Sequence, residues 1–235
     1  MMTLHTFDSC PYCTRVKALI GLKNLDVKVT TFPLGELEPS VAAKLEKFTV
    51  PILQLTSAAE KQTELMTESL DIFAFLDQLP SSLNVEPYFS RYTLSTVVQD
   101  MLDDLKPYTA KLCYPRMPLL GLPELSTESA MALFVHSREE YLGASLAELL
   151  SKTEDYLPQL EGALLKMVPE VDMMSVVNTT RDLTIDDIAL FSELRNLTMI
   201  GELSIPQIMR DYLEIISQRT QVALFAPVYA DRTVR

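Results

Sequence analysis

The chain has 235 residues, 48% of them hydrophobic, and a formal net charge of −12 from 32 acidic against 20 basic side chains. That length and apolar content suit one large or two ordinary domains with a proper core, while the acidic excess disfavours nucleic acid and anionic membrane surfaces as partners. Three cysteines, an odd number, argue against a secreted disulfide framework.

The opening Met1-Met2-Thr3-Leu4-His5 lacks the basic and apolar runs of a signal peptide. No apolar run approaches the roughly 18 residues of a membrane span, so a soluble, cytoplasmic protein is expected. Thr3–Phe7 is predicted to form a strand, and Tyr12 to about Lys23 a helix whose buried side is marked by Val16, Leu19, Ile20 and Leu22. Between them stands Cys10-Pro11-Tyr12-Cys13. Cys10 therefore falls where a strand ends and a helix begins, and the unpaired N–H groups and positive dipole end of the helix favour an anion there. Such a setting draws a thiol pKa from about 8.5 toward roughly 3.5–7.5, and the thiolate is the nucleophile. Cys13, one turn on, can reach the same sulfur and close a disulfide, with Pro11 and Tyr12 as supporting residues. The rival readings of the motif are half a zinc site or two buried cysteines. Zinc takes four ligands, and only Cys113, His5 and His136 remain, without a second paired spacing; no metal is expected, and a thiol–disulfide site is favoured. Arg15 and Lys17 follow the motif, where they either favour a thiolate and an anionic ligand or form an ordinary solvated helix face.

Val27–Phe32 is the next predicted strand, followed by a Pro33/Gly35 loop and a short helix from about Val41 to Phe48. Ile52–Leu55 and Thr63–Met66 read as a hairpin about a polar turn at Ser57–Gln62. A helix from Glu68 to Leu79 closes the unit, with Leu70, Phe73, Ala74 and Leu76 inward. The order β-α-β-α-β-β-α is that of a thioredoxin-like domain, placed at residues 1–79. A linker is expected over 80–90 and an all-helical domain over 91–235. Within it, helical spacing runs from Pro87 to about Cys113 and from Ser126 to about Met167, with Pro107 and Pro158 as points of kinking or breakage. Val168–Asp182 is irregular. Thr184 is expected to cap a helix with Asp187 in a capping box, flanked by a Leu183–Ile188 staple. Ser204 is expected to cap the last helix, and Ala226–Arg235 to be a loose tail.

Val50-Pro51 stands directly before the third strand, and Thr67-Glu68-Ser69 opens the helix after the fourth. The plain reading of the latter is capping. The functional reading is that Ser69, its backbone N–H and the helix dipole bind a carboxylate, while Glu68 accepts from an ammonium group and the Val50 backbone pairs with an extended peptide. Together with Cys10 these residues outline a groove for a small zwitterionic thiol peptide, a description that glutathione fits.

Cys-Pro-Tyr-Cys at 10–13, Val-Pro-Ile-Leu at 50–53 and Glu-Ser-Leu-Asp at 68–71 resemble a glutaredoxin, and the helical second half resembles the glutathione-transferase architecture. The combination is similar to the bacterial glutaredoxin 2 family, whose helical domain is also matched by Leu-Cys-Tyr-Pro-Arg at 112–116 and Leu-Arg-Asn-Leu-Thr at 194–198. The resemblance implies a monomer that reduces protein disulfides and glutathione mixed disulfides, with glutathione as co-substrate. It implies Cys10 as nucleophile and Cys13 as resolving thiol, a cis Pro51, the Val50 backbone on the cysteinyl part of glutathione, and Glu68 and Ser69 on its γ-glutamyl end. A basic residue near the glycyl carboxylate is implied too, with Lys23, Lys44 and Lys47 as candidates. Two rivals share the architecture: a glutathione transferase or dehydroascorbate reductase, which typically carries Ser, Tyr or a single Cys at the helix start, and a non-catalytic interaction module. The paired thiols weigh against both. Cys113 has no motif around it and is expected to be simply packed.

Overall fold

The computed structural model describes every residue except 57–62, 81–82, 84–85 and 231–235. In the N-terminal half, β1 (Met2–Thr6), α1 (Pro11–Lys23) and β2 (Lys28–Thr31) form a β-α-β crossover, so β2 lies parallel to β1. After the short α2 (Pro39–Ala42), β3 (Ile52–Thr56) and β4 (Thr63–Met66) add antiparallel, giving the sheet order β2-β1-β3-β4. The expected polar turn at Ser57–Gln62 lies outside the described residues. Helix α3 (Ser69–Asp77) packs on α1.

Three details of this half differ from expectation. Helix α2 starts at Pro39 and stops at Ala42 rather than running to Phe48, because Phe48 is engaged instead with the rings of Phe7 and Phe32 at centroid distances of 6.2 and 6.1 Å. The inner face of α3 is Ser69, Ile72, Phe73, Leu76 and Asp77, while Leu70 and Ala74 are only partly covered. In α1, Ile20 and Leu22 are half-buried and two cations, Arg15 and Lys23, are buried instead. Lys23 is fully enclosed, pairs with the carboxylate of Asp77 at 3.1 Å and also donates to the Asp77 carbonyl. The partner explains how a cation survives there, since an unpaired buried charge is prohibitively costly. Asp77 also accepts from the Tyr88 and Phe89 N–H groups and from the Tyr92 hydroxyl, each at 2.9 Å.

The second half comprises α4 (Thr96–Cys113), α5 (Glu128–Leu142), α6 (Leu146–Ser151), α7 (Thr153–Met167), α8 (Met173–Val177), α9 (Ile185–Leu197) and α10 (Gln207–Thr220). Side chains of Ser95, Thr127, Ser145 and Thr184 cap α4, α5, α6 and α9 by accepting a free N–H of the first turn. Pro107 and Pro158 sit inside α4 and α7, which run on through both; each proline removes one donor without ending its helix. Residues 87–95 are not helical. Val168–Asp182 is more ordered than its sequence suggests, with a 3-10 turn at Val168–Glu170, then α8, then Arg181 held by both carboxylate oxygens of Asp187 at 2.7 and 2.9 Å. Asp187 completes the expected capping box with Thr184 and accepts from the Tyr212 hydroxyl.

Two expectations at the C-terminus are corrected. Pro206, not Ser204, stands at the cap of α10, and the Ser204 amide is taken by Glu161 at 3.0 Å. The segment from Ala226 is no loose tail as far as Ala230: Val228 is buried, pairs with Ile200, and its carbonyl accepts from the fully buried Arg116. Residues 231–235 of that expected tail lie outside the described residues.

Helix α9 is buried on nearly every side and packs on both α1 and α4. One apolar core therefore runs without a break from Leu4, Leu19 and Phe73 through Leu105 and Leu112 to Ile188, Phe191 and Ile216. Where α1 meets α10, the two backbones touch: a Cβ added at Gly21 would stand 1.7 Å from the Thr220 carbonyl oxygen. Helix α1 is thus held from the sheet side and from the helical side together. Among the described residues no helix is long and apolar enough to cross a membrane.

Candidate active site

Cys10 is the N-cap residue of α1 and Pro11 its first residue, a position where the missing proline donor costs nothing. The Cys10 sulfur accepts from the Cys13 backbone N–H at 3.4 Å and lies 3.8 Å from the Val50 carbonyl oxygen. Cys10 is partly exposed, whereas Cys13 is wholly buried, and both are free thiols. The Cys13 thiol, hydrogen-bonding to Cys10, holds the Cys10 pKa below the usual thiol value; burial opposes this, and the backbone N–H groups of Cys13 and Tyr12 assist. Burial and the neighbouring Cys10 push Cys13 well above it. One turn of helix therefore sets an accessible thiol of lowered pKa over a covered thiol of raised pKa.

Val50-Pro51 is a cis peptide, immediately before β3. The β3–β4 ladder ends with Leu53 opposite Met66, so Val50-Pro51 just before β3 and Glu68-Ser69 just after β4 lie at the same end of the sheet. All four expected ligand-side residues thus stand at the sheet end from which the Cys10 loop also leaves. Glu68 is exposed at the head of α3 and makes no cap hydrogen bond; Ser69 is the first residue of that helix and is buried.

A cleft of about 600 Å³ opens between the two halves at Cys10. Pro11, Tyr12, Phe48, Thr49 and Val50 line one wall, and α4, α5 and α9 the other. Pro51, Glu68 and Ser69 are not among its lining residues. Arg15 is not solvated but buried behind Tyr12, its guanidinium 4.8 Å from the ring centre, and Lys17 pairs with Asp8 at 2.6 Å. Lys23, enclosed with Asp77, cannot meet a ligand carboxylate, which corrects its candidacy; Lys44 donates to the Thr63 carbonyl at the surface. Among the described residues no group of His, Cys, Asp and Glu could hold a metal ion.

Sequence reasoning missed the residues that hold the loop before Cys10. Arg195 of α9 donates to the Asp8 carbonyl at 2.7 Å, to its carboxylate at 3.2 Å and to the Ala223 carbonyl at 2.7 Å, and its guanidinium lies 3.9 Å from the Phe225 ring centre. Asn196 donates to the Ser9 carbonyl at 2.9 Å. Glu124 accepts from both the Ser9 N–H and hydroxyl at 2.8 Å. Glu193, within one turn of Arg195 and Asn196 on α9, lines the cleft; burial raises its pKa against the pull of Arg15 and Lys106. The available signal was a charged and amide cluster inside an otherwise apolar helix, where polar groups are retained only with partners.

Residues 97–228 match the family model described as glutaredoxin 2, C terminal domain, and residues 4–83 that of the glutathione S-transferase N-terminal domain. The chain belongs to the glutaredoxin 2 family. Glutaredoxin 2 of Escherichia coli strain K12 is 29% identical over 225 residues, which are 96% of this chain and 98% of that protein. The solved structure of Salmonella typhimurium glutaredoxin 2 in complex with glutathione covers 95% of this chain and 96% of its own, with a TM-score of 0.79 at 24% identity. A Ceriporiopsis subvermispora glutathione S-transferase, solved in complex with glutathione, covers 94% and 97% with a TM-score of 0.61 at 10% identity, a likeness of fold alone. This chain has the thioredoxin-like sheet and the helical domain expected from sequence, and shares that architecture with both solved structures.

Proposed function

We propose that this protein is a glutathione-dependent thiol–disulfide oxidoreductase that acts on protein disulfides and on glutathione mixed disulfides. The observation that carries the reading is the asymmetric thiol pair, an accessible Cys10 with a lowered pKa above a buried Cys13 with a raised one. The Cys10 thiolate attacks the glutathione sulfur of a mixed disulfide; the old S–S bond breaks, a Cys10–glutathione bond forms, and the substrate leaves as a thiolate that takes a proton from water. A second glutathione thiolate attacks this adduct, releasing oxidised glutathione and regenerating Cys10. With a protein disulfide, Cys13 attacks instead, giving a 10–13 disulfide that two glutathiones then reduce. Its higher pKa suits a thiol that acts only when an adduct stands above it.

The backbone of Val50 supports an extended cysteinyl segment beside Cys10 by strand-like pairing. Glu68 and Ser69, at the start of α3, serve the γ-glutamyl ammonium and carboxylate, the latter at the N-terminus of that helix. The paired thiols disfavour a transferase or a purely docking role. A glutathione-coupled assay with a small mixed disulfide and with a glutathionylated protein tests the reading. Cys10→Ser abolishes both reactions; substantial turnover in that variant overturns it.

A further inference from the structure

The wall of the cleft that faces away from the sheet carries a cation the reaction above does not use. One face of α5 supplies Leu133, Phe134, Ser137, Arg138 and Tyr141 to the cleft that holds Cys10, the helical spacing that places side chains in a row. Arg138 lies over two rings, its guanidinium 4.8 Å from the Tyr114 centre and 5.3 Å from that of Phe134. Its Nε is buried without a hydrogen-bond partner, and no carboxylate pairs with it among the described residues. The other cation of this wall, Lys106, is already bound to Asp103 at 2.6 Å. In a chain with 32 acidic and 20 basic residues, a guanidinium fixed in a cleft and left without a carboxylate is poised for one that arrives from outside. Packing over the two rings holds its fork in place for a carboxylate.

Resting on the oxidoreductase reading, we propose that Arg138 binds an acidic side chain of the polypeptide substrate, close in sequence to the cysteine held in the mixed disulfide. A substrate held at Cys10 beside Val50 lies in the cleft whose opposite wall α4 and α5 supply. The mouth of the cleft favours a polypeptide over a small carboxylic acid, because Tyr12, Phe48, Leu133 and Tyr141 are 43%, 45%, 45% and 72% exposed around it. Such apolar rims are filled by extended chains, with a buried charge supplying selectivity.

The test compares two glutathionylated peptides that differ only in Glu against Gln beside the cysteine, at saturating glutathione. The parent protein is expected to show a kcat/KM about tenfold higher for the Glu peptide, weakening with added salt. In Arg138→Met, which keeps an apolar stem against Tyr114 and Phe134, the ratio falls to near one. Arg138→Lys recovers part of it. A ratio unchanged in Arg138→Met, or near one in the parent while both peptides are turned over, overturns the carboxylate site and leaves the oxidoreductase reading intact. Failure of the parent to reduce either peptide overturns both. A second pair, the glutathione mixed disulfides of mercaptopropionate and its amide, separates the sources: discrimination equal to that of the peptides assigns Arg138 to small carboxylates and overturns the polypeptide.

Discussion

Replacing Arg195 by Met tests whether the helical half positions the thiol. Methionine retains an apolar stem against Phe225, so the loss is confined to three hydrogen bonds from a guanidinium only 3% exposed. Asp8 is 33% exposed at its side chain and keeps Lys17 at 2.6 Å, so its ionic share of the loss is small. The Asp8 and Ala223 carbonyls lose their guanidinium donor, at a cost of about 1–3 kcal/mol for each left unmet. A total of about 2–6 kcal/mol follows, or a fall in Tm of about 4–24 °C for a chain of this size. The same variant loosens the Asp8-Ser9 segment directly before Cys10, so kcat/KM for a glutathione mixed disulfide drops with it. The effect depends on pH. Burial raises the Asp8 pKa, but Lys17 and Arg195 together outweigh it and leave it lowered. A lowered carboxylate pKa contributes stability above its unfolded value and loses it as pH falls through the folded one. The gap in Tm between parent and variant therefore narrows in acid. Calorimetry across pH measures this, with Lys17→Met as the control, since its half-open pair is worth under about 1 kcal/mol. A variant that melts with the parent and turns over at the parental rate refutes the clamp.

Cys13→Ser loses protein-disulfide reduction yet keeps deglutathionylation, because glutathione can resolve the Cys10 adduct itself; equal loss of both activities gives Cys13 some other role. Cys13→Ala also deletes the side-chain donor to Cys10, so its Cys10 pKa rises and thiol labelling at mildly acidic pH is slower than in Cys13→Ser. Ser69→Ala and Glu68→Gln raise the KM for glutathione about tenfold to hundredfold, from the roughly 1.5–3 kcal/mol of a hydrogen bond to a charged group, with Cys10 labelling unchanged; normal KM values would reduce both residues to a helix start. Gly21→Ala forces α1 from α10 and destabilises by about 3 kcal/mol or more, read as a lowered urea midpoint, whereas Gly162→Ala, with open space around it, does not. Cys113, wholly buried with its pKa pushed up to about 12, is labelled only after unfolding.

The thiol-bearing half was largely legible because its signals are local. Strand alternation, the proline-punctuated motif at 10–13 and the hairpin spacing each act over a few residues, and Thr184 with Asp187 announced α9 in the same way. Legibility failed where distant segments decide the outcome. Nothing near Phe48 says that it will leave α2 for Phe7 and Phe32, and nothing near Val228 says that a buried Arg116 needs its carbonyl. Arg195, Asn196 and Glu124 were invisible as site residues for the same reason, since each reaches its partner across more than a hundred positions of chain. Lys23 misled for the opposite reason: a lysine at a helix end is ordinarily solvent-facing, and its enclosure is set by Asp77, fifty-four residues away.

The Asp77 carboxylate bears on how separable the thiol-bearing half is. It faces Lys23 from its own half and the Tyr88, Phe89 and Tyr92 donors from the stretch that leads into α4. A fragment ending at residue 79 would retain the lysine and forfeit all three donors, exposing an ion pair whose carboxylate otherwise has four partners. Grafting this redox motif onto a lone small domain would therefore call for replacing Lys23 and Asp77 together by an apolar pair. The connecting segment is, in that respect, a part of the catalytic half that the chain happens to write later.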